Sequence, residues 1–272
     1  MRKVLILLVL AMIVHADFLT ERVDVVLSDI KEDGSVHVHE SIKFVMFGNY
    51  SNSLYDSGIS NNELSFWSKN TGLKDVKFHV NPGQVDIRDF RLRPQPRTKC
   101  NPIQGICHGE LILDYLAYPS YNNTDPNPDS GLFAIAKYKP RTKRYTLNPQ
   151  ALSFTTTPEG NVILDDTVFL TVKLPPESVT LDINPQPTDS NLDLPSHLNS
   201  LSWNDIVLVK FSLIFDVEDS IDKEVSDFFG NISQSIADTI RSPEGIALIV
   251  LIIVIIGSYL YIVMAKRRSE NV

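Results

Sequence analysis

Alternation of apolar and polar residues runs through most of residues 17–216 and predicts short β-strands. Segments 22–30 and 35–46 both alternate, and the Asp33-Gly34 pair between them is typical of a β-hairpin turn. Further strands are predicted at 64–67, 76–80, 85–92, 111–118, 132–138, 152–157, 167–174, 179–183 and 206–217. Because the strands are short and no strong early helix interrupts them, the pattern predicts a mainly β fold of one or two sandwich-like, Ig-like units.

A polar stretch at 119–130 is the longest segment rich in turn-forming residues. It predicts a linker loop between a first β-sandwich unit at 17–118 and a second at 131–216. One larger, interleaved sandwich is the alternative.

Beyond residue 216 the apolar spacing becomes helical and predicts an amphipathic stalk helix over 217–242. The interaction stripe of this helix consists of Val217, Ile221, Val225, Phe228, Ile232, Ile236 and Ile240. Such a stripe packs either on the protein's own β-part or on a second copy or a partner helix, and the sequence leaves both open.

The two ends of the chain are strongly apolar. Residues 1–16 have the layout of a secretory signal peptide, with Arg2 and Lys3 before a short apolar run. Residues 245–265 predict a single C-terminal transmembrane helix, and the basic tail at 266–272 predicts a cytoplasmic end. We therefore expect a single-pass protein of the plasma membrane with its bulk outside the cell.

Charge is unevenly distributed along the chain, whose formal net charge is −8. Residues 17–144 carry sixteen basic and sixteen acidic side chains, whereas residues 145–244 carry four and sixteen. This acidity argues against nucleic acid as a partner. Ten basic residues could form a patch for an anionic ligand: Arg88, Arg91, Arg93, Arg97, Lys99, Lys137, Lys139, Arg141, Lys143 and Arg144. Alternatively, these residues form a solvated surface, or they pair with acidic side chains of residues 145–244, which we call the acidic half.

The only two cysteines, Cys100 and Cys107, enclose a short turn-rich segment. Outside the cell such a pair predicts a structural disulfide. A metal site that also uses His108 is disfavoured, because the spacing matches no usual zinc pattern.

Residues with potential metal chemistry are few. His37 and His39 point the same way from a predicted strand and could share a metal, but no third ligand is visible. Glu40 falls on the apolar face, where a carboxylate needs a partner. Asp125, Asn127 and Asp129 alternate as in a calcium loop but lack its other features, so a polar turn is favoured.

None of the common catalytic motifs is present in the sequence, so no enzyme activity and no cofactor is predicted. Three N-glycosylation sequons begin at Asn49, Asn122 and Asn231.

A family resemblance rests on short motifs. Segment 29–48 contains Asp33-Gly34-Ser-Val-x-Val-x-Glu40, then an apolar strand and Gly48. Later come a strand ending in tyrosine at 109–118, a Leu-Pro-Pro edge at 170–176 and Trp203. These features resemble uncharacterised prokaryotic, archaeal-type, membrane-anchored ectodomains, although those proteins often carry more membrane segments. The resemblance implies an extracytoplasmic β-sandwich and no catalytic residues.

Taken together, the sequence predicts a non-enzymatic cell-surface protein with a binding, adhesion or envelope-structural role. The alternative is an accessory subunit of a membrane complex, docked through its stalk and its membrane span. A third, weaker hypothesis is a metal-dependent surface hydrolase near His37, His39 and Glu40.

Overall fold

A computed structural model describes residues 17–122, 125–126, 130–139, 141–188 and 200–218. The predicted signal peptide, transmembrane helix and cytoplasmic tail lie outside these ranges. So do Asn231, Asn127, Asp129 and all of the stalk stripe except Val217.

Fourteen strands and two α-helices make up the described part. The strands are β1 (Asp17–Ser28), β2 (Val36–Phe47), β3 (Val85–Pro94), β4 (Thr98–Asn101), β5 (Ile106–Pro119), β6 (Tyr121–Asn122), β7 (Asp125–Pro126), β8 (Phe133–Lys139), β9 (Thr142–Leu147), β10 (Thr155–Thr156), β11 (Val162–Lys173), β12 (Val179–Asn184), β13 (Ser200–Leu208) and β14 (Ser212–Glu218). The α-helices are α1 (Gly48–Gly58) and α2 (Leu64–Thr71), and a short 3-10 helix spans Pro149–Ala151.

An eight-stranded sheet is the main layer. Its order is β10-β11-β1-β2-β5-β3, with β13 paired to β11 and β4 paired to β5. The pair β1–β11 is parallel, and the other pairs in this sheet are antiparallel. The large sheet thus draws its strands from both of the predicted sandwich units, and the chain forms one compact unit up to Glu218.

A smaller sheet of four antiparallel strands has the order β12-β14-β9-β8. Three of its strands pack aromatic rings together, since Phe215 of β14 stacks on Tyr145 of β9 and meets Phe133 of β8 edge to face. The two-stranded pair β6–β7 lies within the predicted linker.

The predicted first hairpin is confirmed. Strands β1 and β2 pair in antiparallel register, and the turn closes with the Gly34 amide donating to the Lys31 carbonyl at 3.1 Å. Gly34 has a φ of +80°, and a Cβ there would lie 2.7 Å from a ring carbon of Pro119. Glycine is therefore required both by the turn and by its packing.

One face of the large sheet carries the core. On β2 the predicted apolar side chains Val36, Val38, Ile42 and Phe44 are all fully buried. Alternate residues of the same strand, including His37 and His39, are half-exposed on the opposite face, which we call the outer face.

The mainly β character of the prediction agrees with the structure, but the structure does not support the C-terminal membrane helix of the predicted fold class. Within the described ranges, neither α-helix has the length and apolar character needed to cross a membrane. The stalk helix is also corrected at its start, because Val217 lies in strand β14 and packs against the core.

Two early helices replace what the sequence predicted as strand and loop. Segment 64–67 lies in α2, which is followed by the C-terminal cap Gly72 with a φ of +66°. Helix α1 buries Tyr55, whose hydroxyl donates to the carbonyls of Gln95 and Glu110 at 2.5 and 3.1 Å. These long-range bonds stabilise a helix that has weak intrinsic propensity.

The predicted strand at 206–217 is two strands. β13 ends at Leu208 and β14 begins at Ser212, and the turn between them places Lys210 at a φ of +50°. Segment 76–80 is mostly irregular, with a single bridge between Val80 and Leu152. Periodicity alone did not reveal either break.

Candidate functional sites

A cluster of titratable side chains lies on the outer face of the large sheet. Nδ1 of His39 lies 2.7 Å from Oδ1 of Asp114, and Nε2 of His37 lies 3.8 Å from the same oxygen. Arg93 donates a hydrogen bond to the other oxygen, Oδ2. The register explains the meeting, because His39 pairs directly with Asp114 across β2 and β5.

The Asp114 carboxylate is held in its charged form. Partial burial would raise its pKa, but hydrogen bonds and charge from His39 and Arg93 outweigh burial and lower the pKa below its ordinary value. The cluster is therefore centred on a stable negative charge. In the described ranges, no group of three histidine, cysteine or acidic side chains is placed so that it could hold a metal ion.

Glu40 lies on the opposite, buried face and belongs to a different network. Its carboxylate accepts hydrogen bonds from the backbone amide of His79 at 3.0 Å, from Nδ1 of His79 at 2.7 Å and from the hydroxyl of Tyr115. Glu40 is fully buried and His79 is 2% exposed. The three residues of the hydrolase hypothesis, His37, His39 and Glu40, thus do not form one site.

Burial is the main reason that the pKa of Tyr115 is raised well above its ordinary value, and the nearby charge of Glu40 adds to this. The hydroxyl therefore stays protonated and acts as a donor to Glu40. Through these hydrogen bonds, the network connects Glu40 of β2, Tyr115 of β5 and the loop residue His79 within the core.

The first half of the predicted basic patch lies along β3 and β4. Arg88 pairs with Asp86 at 2.7 Å, and Arg97 pairs with Asp56 at 2.6 Å. Arg93 is occupied by Asp114 as described above. Arg91 and Lys99 are exposed on the same strands.

The second half of the patch lies on β8 and β9 in the small sheet. Here Lys143 pairs with Glu32 at 2.7 Å, and Arg144 makes two bonds to Asp216 at 2.9 and 3.0 Å. Arg141 lies 3.6 Å from Glu218. Lys137 and Lys139 are exposed at the edge strand β8. Several of the ten basic side chains are thus matched by acidic partners, and two of these partners lie in the acidic half.

Cys100 and Cys107 form a disulfide that closes the β4–β5 turn. His108 is not part of a cysteine site, because its Nδ1 lies 2.8 Å from Glu21. Inside the turn, Oδ1 of Asn101 accepts hydrogen bonds from the amides of Ile103 and Gln104 at 3.0 and 3.3 Å. The loop is therefore held in one conformation by covalent and hydrogen bonds.

Three segments with exposed apolar side chains meet at this end of the large sheet. The Gly48 amide donates to the Gly105 carbonyl at 3.0 Å, and the Asp17 amide donates to Oγ of Ser51 at 2.9 Å. The apolar side chains at this place, which we call the apolar end, are Leu19, Val45, Phe47, Tyr50, Ile103 and Ile106.

Three large apolar side chains of the apolar end are exposed. Ile103 is 95% exposed, Leu19 59% and Tyr50 51%. Val45, Phe47 and Ile106 are half-buried on the outer face, where the core does not cover them. Single exposed apolar residues are normal, whereas large contiguous apolar patches are typical of interaction surfaces.

An open groove of about 480 Å³ lies beside the first hairpin turn. Its lining consists of Ile30, Lys31, Glu32, Asp33, Tyr145, Pro175 and Val217. The floor is apolar and the rim is charged. Neither the Asp114 cluster nor the Glu40 network opens into it.

The remaining predicted site residues are only partly described. Asn49 is exposed in the first turn of α1, where an attached glycan would meet solvent, but Ser51 of the same sequon is buried. Asn122 and Asp125 lie in β6 and β7. Use of these residues as glycan or calcium sites stays a prediction.

Sequence reasoning missed Asp114, His79 and the apolar end. Asp114 joins the two histidines through cross-strand register, and His79 joins Glu40 from a loop. Both partners are far from these residues in the sequence, so residue spacing alone does not predict the contacts. The position of Ile103 between the two cysteines is visible in the sequence, but its exposure is not.

No family model matches the chain, and no curated protein matches it. Among solved structures, similar chains include yeast LTA4 hydrolase in complex with bestatin, with a TM-score of 0.31, and native leukotriene A4 hydrolase from Saccharomyces cerevisiae, with a TM-score of 0.30. Each is 10% identical, and the match covers 74% of this chain and 29% of that chain. The chain therefore matches less than a third of either enzyme, and likeness this low bears on neither fold nor function.

Proposed function

We propose that this chain is a non-enzymatic, extracytoplasmic binding protein whose apolar end contacts a protein partner. The observation that carries the proposal is the exposure of Ile103 on a disulfide-closed turn, at the same end of the large sheet as exposed Leu19 and Tyr50.

The disulfide supports an oxidising compartment. Structural disulfides persist outside the cytosol, where thiols are not kept reduced. Residues 1–16, with the layout of a signal peptide, are consistent with export. On this proposal the β-part works outside the cytoplasm.

Rigidity supports a binding role for the apolar end. A loop already fixed by the disulfide and by Asn101 loses little conformational freedom when it binds. An isoleucine and a tyrosine on such a scaffold can act as anchors for a pocket on the partner.

Charge around the apolar end favours a protein over an anionic lipid surface. Asp17 and Lys99 are exposed here, and Glu21 pairs with His108. This rim carries both signs without an excess of cations, as in the polar rim of a protein interface. An anionic membrane would instead favour a cluster of lysine and arginine.

Site-specific cross-linking tests the proposal. A photoreactive benzoylphenylalanine replaces Ile103 in the full-length chain, which is expressed in its native host and irradiated. The matched control places the same group at Leu181, which is 49% exposed on strand β12 of the small sheet. We expect one abundant protein adduct at position 103 that is absent at position 181.

Reconstitution then decides whether the adduct is specific. The identified protein, produced separately, should bind the wild-type chain directly. Equal adducts at both positions, lipid adducts alone at position 103, or no direct binding of the purified protein would overturn the proposal.

A further inference from the structure

Strand β8 lies at one edge of the small sheet and is paired on one side only. The sheet order β12-β14-β9-β8 places β9 on its paired side. In the part of the chain that the structure describes, no strand pairs with the other side of β8, which we call the open edge. Because an unpaired edge presents a row of backbone N–H and C=O groups, it can accept an added strand from a partner.

The register shows which backbone groups point toward the open edge. The Asn148 amide donates to the Leu132 carbonyl at 2.9 Å, at the position just before the first pair of β8 and β9. Hydrogen-bonded and non-hydrogen-bonded positions alternate along an antiparallel pair. Ala136 is therefore bonded to β9, whereas the N–H and C=O groups of Ile135 and Lys137 point outward. Within the described ranges, no loop or side chain bonds to these outward groups.

Positive charge collects along the open edge. Lys137 lies directly opposite Lys143 across β8 and β9, and like charges at such positions are unfavourable. Glu32 offsets the charge of Lys143 at 2.7 Å. Lys137 and Lys139 are exposed, and among the described side chains neither has an acidic partner. An acidic side chain on an added strand would lie opposite Lys137 from the open side and offset this repulsion.

The same side chains select the kind of strand that fits. Lysines on an edge disfavour pairing with an identical edge, because like charges would then meet. Ile135 is half-buried and packs against the core, so an apolar side chain opposite it would extend the core. On the other face, the small and exposed side chains of Ala134 and Ala136 leave room for β-branched residues.

We propose that the open edge of β8 binds an extended, acidic segment of a partner protein by strand addition. An acidic residue lies opposite Lys137 and an apolar residue lies opposite Ile135. Backbone hydrogen bonds at these two positions supply affinity, and the two side chains supply specificity. The open edge belongs to the small sheet and the apolar end to the large sheet, so the two surfaces are tested independently.

A synthetic peptide tests this surface on the purified full-length chain. The probe is Thr-Asp-Thr-Glu-Thr-Val-Thr, blocked at both ends, which places its valine opposite Ile135 when its glutamate lies opposite Lys137 in antiparallel register. We expect saturable binding at millimolar or lower peptide concentration. Hydrogen exchange should slow at the amides of Ile135 and Lys137 but not at Ala136, which β9 already protects. The same peptide, N-methylated at its glutamate and valine, keeps its charge but lacks both N–H donors and should not bind.

Charge reversal on the chain gives the matched comparison. Lys137→Glu should weaken probe binding about tenfold, because attraction to the glutamate of the probe becomes repulsion. Lys173→Glu, at an exposed lysine of β11 in the large sheet, is the control and should bind like the wild type. Circular dichroism should show that both variants are folded.

Three results would overturn the proposal: no saturable binding, binding without slower exchange at Ile135 and Lys137, or equal affinity of Lys137→Glu and the wild type. Slower exchange at these amides that grows with the concentration of the chain alone would also overturn it, because it would show pairing between copies of β8.

Discussion

At the scale of single residues, the carboxylate of Glu40 is fully buried and depends on three hydrogen-bond donors. It accepts hydrogen bonds from the amide and the ring of His79 and from the hydroxyl of Tyr115. A buried carboxylate without donors would be very costly, so each donor is needed. The apolar position of Glu40 was visible in the sequence, but its partners were not, because they lie 39 and 75 residues away.

Tyr115→Phe should destabilise the protein by about 1.5–3 kcal/mol, because one donor to the buried carboxylate is lost without a replacement. Urea unfolding followed by tryptophan fluorescence measures the change. Tyr50→Phe, at an exposed tyrosine, is the control and should change stability by less than about 0.5 kcal/mol. Equal stability of both variants would show that the Tyr115 hydroxyl does not support Glu40.

Gly109→Ala should cost about 1–3 kcal/mol through overpacking. A Cβ at this position would lie 2.7 Å from a ring carbon of Phe44 and 2.9 Å from a ring carbon of Tyr55, and both rings are fully buried. Thermal unfolding of the variant measures the loss. Ser60→Ala, at an exposed residue after α1, is the control, and a similarly stable Gly109→Ala would contradict the packing described.

Asp114→Asn should remove a pH-dependent part of the stability. The pKa of Asp114 is lowered in the folded protein, so its contribution is present above the unfolded pKa of about 3.9 and is lost as pH falls through the folded pKa. The groups that face it are His37 and His39 from β2 and Arg93 from β3.

Urea midpoints of the wild type and Asp114→Asn between pH 2 and pH 7 check this prediction. The wild type should be more stable at pH 7, and the difference should shrink below about pH 4. A difference that is constant across this range would mean that the Asp114 charge does not stabilise the fold.

At the scale of elements, the disulfide-closed turn between β4 and β5 was predictable in part from the sequence. The two cysteines alone were enough to predict the bond, because no other pairing exists in the chain. What the spacing could not show is the docking of this turn on α1, where Nδ2 of Asn52 donates to the Gly105 carbonyl at 2.9 Å.

Replacing both cysteines with serine should destabilise the protein by about 2.5 kcal/mol, because an eight-residue loop is no longer closed in the unfolded chain. Urea unfolding with and without dithiothreitol measures the same change in the wild type. The double variant should itself be insensitive to the reductant. An unchanged wild-type midpoint on complete reduction would contradict a stabilising disulfide.

Elements with strong local signals were predictable, and those fixed by long-range contacts were not. The first hairpin has alternating strands and an Asp-Gly turn, so its sequence specifies it locally. Helix α1 contains glycine, asparagine and serine, and it forms because Tyr55 and Asn52 bond to distant carbonyls. The break between β13 and β14 depends on a positive φ at Lys210, which alternation does not report.

At the scale of the whole molecule, the large sheet depends on pairing between strands that are far apart in sequence. β1 pairs in parallel with β11, from Val23 opposite Val168 to Leu27 opposite Val172. Neither strand's pattern specifies the other as its neighbour, so the interleaving could not be deduced. The antiparallel pairing of β1 with β2 and of β2 with β5 brings the N-terminal strand, α1 and the disulfide turn to one end, which creates the apolar end.

The affinity of the cross-linked partner for the chain tests the central claim most directly. With the reconstituted partner, Ile103→Ser should weaken binding about 10- to 100-fold, because it forfeits about 1.5–3 kcal/mol of apolar burial. Leu181→Ser, exposed on the small sheet, should bind like the wild type. If Ile103→Ser also bound like the wild type, or if both variants lost affinity equally, the apolar end would not be the binding surface.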